Sequence, residues 1–207
     1  MKGEIGFREI TMERLLFHFA GLFALAILVL AAISASAADE GELQPTVTST
    51  TVTHLNFKSS KPFAAVTAAL EKQLGHFDPA IGKSFSSGSS PAEIEAKIHA
   101  MEGSSGLMIF AVRDHGQLLS LKGKQALGRQ YEVGNPLIAL GMTQHDLVAG
   151  EYAPLRIYVY VGEDNLTHVD YDLPSSVFAR FKSKQINEVA KGLDQKLEKL
   201  ISTALKD

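Results

Sequence analysis

The chain has 207 residues, 45% hydrophobic and 21% charged, with 20 Lys plus Arg against 23 Asp plus Glu and no cysteine. Without thiols there are no disulfides, thiolate nucleophiles, cysteine-ligated zinc or lipid attachment through an N-terminal cysteine. The near-neutral balance, the lack of a basic stripe and the absence of tryptophan argue against nucleic acid as a partner.

Leu15 to Ala38 contains no Asp, Glu, Lys or Arg, and Phe19 to Ile33 is almost purely apolar. Ala35-Ser36-Ala37 then supplies the small residues that a signal peptidase requires. Residues 1–37 are therefore expected to be a signal peptide, cleaved after Ala37, with the domain exported to the periplasm or secreted. Lys2, Arg8 and Arg14 are offset by Glu4, Glu9 and Glu13, which leaves the start weakly basic. About 20 apolar residues also span a bilayer, so the alternative is an uncleaved N-terminal anchor. Contact with a membrane is expected through this segment only. Removing 37 of 207 residues leaves 170, the size of one domain.

Residues 38–45 form a polar, flexible lead-in, and 46–207 are expected to be a single α+β domain. Thr46 to Phe57, rich in Thr and Val, predicts a strand. Ser59-Ser60-Lys61-Pro62 predicts a hydroxyl-capped helix start, with Phe63, Val66, Leu70 and Leu74 at helical spacing after it. Ser84 to Ser90 is a Ser/Gly-rich loop. Ser90-Pro91-Ala92-Glu93 is a capping box that opens a helix with Ile94, Ile98 and Met101 on its apolar face.

Leu107 to Val112, an unbroken apolar run, predicts a strand covered on both faces, ended by Arg113-Asp114-His115-Gly116. Gln117 to Leu121 fits either a strand or a short helix. Arg129 to Val133 predicts a strand, stopped by Gly134-Asn135-Pro136, and a short helix follows from Leu137 to about Gln144. Leu155, Ile157, Val159 and Val161 alternate with Arg156, Tyr158 and Tyr160; Val169, Tyr171 and Leu173 alternate with His168, Asp170 and Asp172. Gly162-Glu163-Asp164-Asn165 between them is turn chemistry, so the pair is a hairpin. Ile186, Val189, Leu193, Leu197, Leu200 and Ile201 make the apolar stripe of a long C-terminal helix that must lie on the sheet.

Phe110, Asp114-His115, Tyr131-Glu132-Val133-Gly134-Asn135-Pro136, Met142, Tyr152-Ala153-Pro154-Leu155-Arg156 and Tyr171-Asp172-Leu173-Pro174 stand in a characteristic order and spacing. Over about Leu107 to Phe181 the chain resembles the domain-of-unknown-function 302 family. The resemblance implies a strand, a helix, four strands and a C-terminal helix, similar to the TATA-binding-protein-like α+β fold, and implies a homodimer. It favours the helical reading of Gln117 to Leu121. The chain departs from the family pattern at Phe77 to Gly103, which looks expanded. The family carries no established activity, so the resemblance leaves function open.

Catalytic signatures are absent: there is no His-Glu-x-x-His, Gly-x-Ser-x-Gly or Gly-x-Gly-x-x-Gly, and Gly82-Lys83-Ser84 lacks the upstream glycine of a phosphate loop. Asp114 and His115 could act as an acid–base pair in a hydrolase or isomerase, with Arg156 or Asn135 stabilising an anion. Against this, Asp114 is a natural cap for the next helix, and Asn135 before proline a natural turn former. His168, Asp170 and Asp172 share one strand face, but about 6.5–7 Å between successive same-face side chains is too wide for a compact metal site. That face is expected to be solvated, and no metal or cofactor is expected.

The reading preferred here is a non-enzymatic binding domain for a partner or a small anionic or planar ligand. Its candidate residues are Asp114, His115, Asn135, Arg156, Tyr158 and Asp172. Hairpin register adds one further expectation, because opposed residues must share a face. Pairing Val161 with Thr167 sets Tyr160 against His168, Tyr158 against Asp170, and Arg156 against Asp172. A two-residue slip would instead give Arg156 to Asp170.

Overall fold

The computed structural model describes residues 43–206, so the expected signal peptide and its cleavage point at Ala37 lie outside the described residues. Residues 43–48 end one compact unit and are exposed, without regular secondary structure. Every helix and strand among the described residues belongs to the second unit, Ser49–Asp207, and so does every residue of its core.

Six strands form one sheet: β1 (His54–Ser59), β2 (Gly75–His76), β3 (Met108–Asp114), β4 (Gly128–Gly134), β5 (Leu155–Val161) and β6 (Thr167–Asp172). They lie in the order β1-β6-β5-β4-β3-β2, antiparallel throughout except that β2 runs parallel to β3. The expected α+β element order is present, with the two-residue β2 as an addition. The hairpin has the expected register, from Val161↔Thr167 to Ile157↔Tyr171. Asn165 supplies the left-handed residue of its turn, at φ 58°.

The helices are α1 (Phe63–Glu71), α2 (Gly82–Ser86), α3 (Pro91–Ala100), α4 (His115–Leu118), α5 (Pro136–Thr143), α6 (Pro174–Phe178) and α7 (Lys184–Lys206). Period-two apolar residues put Tyr131, Val133, Ile157, Val159, Val169 and Tyr171 on one sheet face. The α7 stripe (Ile186, Ala190, Leu193, Leu197, Leu200, Ile201, Ala204) and Phe63, Val66 and Leu70 of α1 bury themselves in the same core. Met108, adjacent to Ile109 and so on the opposite face, joins Ile94 and Ile98 of α3 in a second cluster with Phe77 and Phe110 around it.

Some local expectations are corrected. The first strand begins at His54, not Thr46, because its partner β6 ends at Asp172, opposite His54. Helix α1 starts after Pro62 with no side-chain cap. Part of the Ser/Gly loop is helical, as α2. The run from Leu107 is covered on both faces only at its start: a register shift between Ile109 and Ala111 intervenes, and Val112 is 45% exposed. The capping box at Ser90 and Glu93 forms as read, and Gln117 to Leu121 is helical, in α4 and the 3-10 turn Leu119–Lys122.

Two glycines fix the β2 end. A Cβ on Gly75 would lie 1.8 Å from the Met101 carbonyl oxygen, and one on Gly103 would lie 2.4 Å from Leu74 backbone. Only bare backbone fits where these two segments meet.

Candidate functional site

Strand alternation places Arg156, Tyr158 and Tyr160 of β5 and His168, Asp170 and Asp172 of β6 on the sheet face away from the core. The edge strand β1 adds His54, Asn56 and Lys58, paired with Asp172, Asp170 and His168 in turn.

Aromatic rings run along this face. His115 meets Tyr158 edge-on at 6.0 Å between ring centroids, Tyr158 stacks on Tyr160 at 5.5 Å, and Tyr160 stacks on His168 at 4.8 Å. Such separations suit offset or edge contacts between rings. The face is not simply solvated, because His168 is buried. Its Nδ1 accepts from the Asn56 amide at 3.1 Å, so Nε2 carries the proton and donates to Asp164 Oδ1 at 2.8 Å. Asp164 also accepts from Lys58 Nζ at 3.0 Å. These two donors hold its carboxyl well below the usual carboxylate range.

The two aspartates of β6 are engaged by β1. His54 Nδ1 lies 2.9 Å from Asp172 Oδ1 and its Nε2 lies 3.2 Å from Asp170 Oδ2. Asn56 also donates to Asp170. Both ring nitrogens of His54 can donate only when the imidazole is protonated, and the bonds to Asp172 and then Asp170 raise its pKa.

The six sequence candidates divide among different places. His115 and Tyr158 line a cleft of about 770 Å³ between the 115–128 segment and strands β4 and β5, with Leu119, Leu127, Gln130 and Tyr160. Gly128 makes room for the phenol, since a Cβ there would lie 2.6 Å from the Tyr158 hydroxyl. Burial of Tyr158 pushes its hydroxyl pKa up, with the Asp114 charge adding to the effect.

Arg156 and Asp172 line a second, smaller cleft of about 370 Å³ with Glu132, Glu151 and Tyr152. They are not ion-paired. Asp172 is held by His54, while Arg156 stands across from Glu132, which bonds to Arg113 instead. Arg156 forms no ion pair among the described residues.

Asp114 caps α4, accepting the Gln117 N–H at 2.8 Å, and lies 3.7 Å from Arg129. Asn135 is buried and fully employed. Its Oδ1 caps α5 through the Leu137 N–H at 2.8 Å, and its amide donates to Glu102 Oε1 at 2.7 Å and to the Gly106 carbonyl at 3.0 Å.

Sequence reasoning missed the buried group on the core face. Tyr131 donates to Glu71 Oε1 at 2.7 Å, and Arg129 Nη1 lies 3.3 Å from the same oxygen. Burial, then the bond to Glu71, drives the Tyr131 pKa far upward. The signal available was polar Arg129 and Tyr131 alternating onto an apolar face. Among the described residues, no cluster of three or more His, Asp or Glu has the arrangement of a metal site.

The comparison with curated proteins yields no match. A solved structure, the crystal structure of an uncharacterized conserved DUF302 protein from Bacillus stearothermophilus, is similar in fold. It has a TM-score of 0.52 and 15% sequence identity, covering 73% of this chain and 97% of that one. Residues 83–204 match the family described as Domain of unknown function DUF302. That match takes in α3, strands β3 to β6 and nearly all of α7, and on it the chain belongs to the DUF302 family.

Proposed function

We propose that the chain is an exported, non-enzymatic binding domain, and that the cleft walled by His115, Tyr158 and Tyr160 takes a small planar ligand. The observation that carries this reading is the cleft itself. It brings two sequence-derived candidates together beside leucines 119 and 127, and its volume falls within the range of about 300–1,000 Å³ usual for ligand pockets. Its walls combine apolar surface with a few polar tips, the composition that orients a flat ligand. Tyr158 and Tyr160 offer ring faces, and the Tyr158 hydroxyl, Gln130 and His115 offer hydrogen bonds.

Acid–base catalysis is the weaker reading. The Asp114 carboxylate serves as a helix cap and Arg129 partner, and Asn135 is consumed as a second cap. The Arg156 cleft is a lesser alternative for an anionic ligand, because Glu132, Glu151 and Asp172 share it. Export rests on the apolar segment and the Ala35-Ser36-Ala37 ending.

The test is a titration with 2-naphthoate, a flat aromatic carboxylate, followed by backbone amide NMR. Saturable shifts at His115, Gly128 and Tyr158, lost in Tyr158→Ala, are expected. Shifts confined to Arg156 and Asp172 would move the site to the smaller cleft, and an absence of saturation at either would refute the reading.

A further inference from the structure

We infer that the segment from Leu118 to Leu127 is a docking surface for an anionic lipid membrane. Four leucines of this short stretch, Leu118, Leu119, Leu121 and Leu127, are exposed to solvent, Leu121 to 82%. A folded domain leaves contiguous apolar patches open mainly where something else covers them. The stretch is ordered by its own bonds. The 3-10 turn Leu119–Lys122 closes through Gly123, at φ 69°, and the Lys124 N–H donates to the Leu119 carbonyl. The Val161 N–H donates to the Leu127 carbonyl at 3.0 Å, which ties the far end to β5.

Charge decides the occupant. From His115 to Tyr131 the chain carries Lys122, Lys124 and Arg129 and no carboxylate. Arg129 is spent on Glu71 and Asp114, whereas Lys122 and Lys124 are exposed and form no ion pair among the described residues. The exposed carboxylates nearest in sequence are Asp114, held by Arg129, and, in the β5–β6 turn, Glu163 and Asp164, the latter held by Lys58 and His168. Exposed leucines interleaved with free lysines are the chemistry of an interfacial anchor: the apolar side chains enter the acyl boundary while the ammonium groups meet lipid phosphates. A second copy of the chain fits less well. In a two-fold pairing of this face with itself, Lys122 and Lys124 would meet their own kind. Docked this way, the segment would set the mouth of the His115–Tyr158 cleft at the bilayer surface. The inference does not depend on that cleft holding a ligand.

The test is sedimentation of the chain beginning at Ala38, which keeps the whole of the second compact unit, Ser49–Asp207, and omits the apolar N-terminal segment. Vesicles of phosphatidylglycerol with phosphatidylcholine are compared with vesicles of phosphatidylcholine alone. The protein should sediment with the anionic vesicles and be released by salt of about 0.5 M, where charge attraction is screened. Leu121 does not line the cleft, and Leu121→Ser should weaken vesicle binding at least about threefold. Lys122→Glu with Lys124→Glu should remove the preference for anionic lipid. Leu147→Ser, at another exposed leucine, should change nothing. Tyr158→Ala should leave sedimentation intact, so failure of the ligand reading and failure of this one are separable. The inference is overturned if the protein stays in the supernatant with both vesicles, or if Leu121→Ser sediments like the parent. It is also overturned if sedimentation velocity shows a dimer that Leu121→Asp dissociates.

Discussion

Two leucines of one chemistry and opposite surroundings make the most direct test of the fold. Leu197 lies in the middle of α7 with none of its surface exposed, among Leu193, Leu200 and Ile201 in the sheet-facing core. Leu197→Ala removes three carbons, worth roughly 2.4 kcal/mol at about 0.8 kcal/mol for each buried methylene. A residual cavity between α7 and the sheet adds to this, because the flanking elements relax only in part, so a loss of about 3–4 kcal/mol is expected. Leu121→Ala makes the same deletion at a solvent-exposed site and should stay within about 0.5 kcal/mol. Urea unfolding followed by far-ultraviolet circular dichroism suits a chain without tryptophan. The Leu197→Ala midpoint should fall at unchanged slope, and the thermal midpoint should drop by roughly 6–16 °C for a domain of this size. A loss below about 1 kcal/mol at Leu197, or equal losses at both sites, would mean that α7 does not dock as described.

Tyr131→Phe deletes the hydroxyl that donates to Glu71 and leaves that oxygen to Arg129 alone; calorimetry should show a loss of about 1–3 kcal/mol, and an unchanged stability would discount the bond. His54 carries a raised pKa in the folded state, so its stabilisation is fully present below its unfolded pKa of about 6.5 and fades as pH rises through the folded value. The pair is largely exposed, which limits the effect to at most about 1 kcal/mol. The stability gap between the parent and His54→Gln should therefore narrow between pH 6 and pH 9, and a gap that widens would reverse the assignment.

The parts of the fold that could be read early are those where one strand or helix states its own periodicity. The β5–β6 hairpin is the clearest case, since any odd shift would turn Asp172 into the core, and its register came out residue by residue. Arg156 and Asp172 keep that alignment but form no ion pair, for a reason outside the hairpin. Each strand has a second neighbour: β1 brings His54 to Asp172, and β4 brings Glu132 opposite Arg156. His54 lies 118 residues from Asp172 in sequence, so no local pattern announces it. The same distance explains Thr46 to Thr53, whose strand-forming composition finds no partner strand beyond Asp172. The burial of His168 is invisible in its own strand's alternation, because it comes from a ring on the adjacent strand and an amide on β1. The helix caps Asp114 and Asn135 were legible, since a cap is decided within three residues.

The contact between Gly75 and Gly103 closes the stretch between them at its base. The Gly75 and Gly103 N–H groups both donate to the Leu107 carbonyl, and the Ser105 N–H donates to the Gln73 carbonyl. The excursion through α2 and α3 thus leaves and rejoins the sheet at one knot of main chain, with Ile94 and Ile98 packed on Met108 in between. Closing such a loop grows costlier only slowly with its length, by about 0.6 kcal/mol per doubling. Residues added or removed at its exposed tip, Ser87 and Gly88, would leave the strand order and the α7 core where they are. Within one fold, this is where the chain can be spliced, tagged or lengthened, provided the two glycines stay.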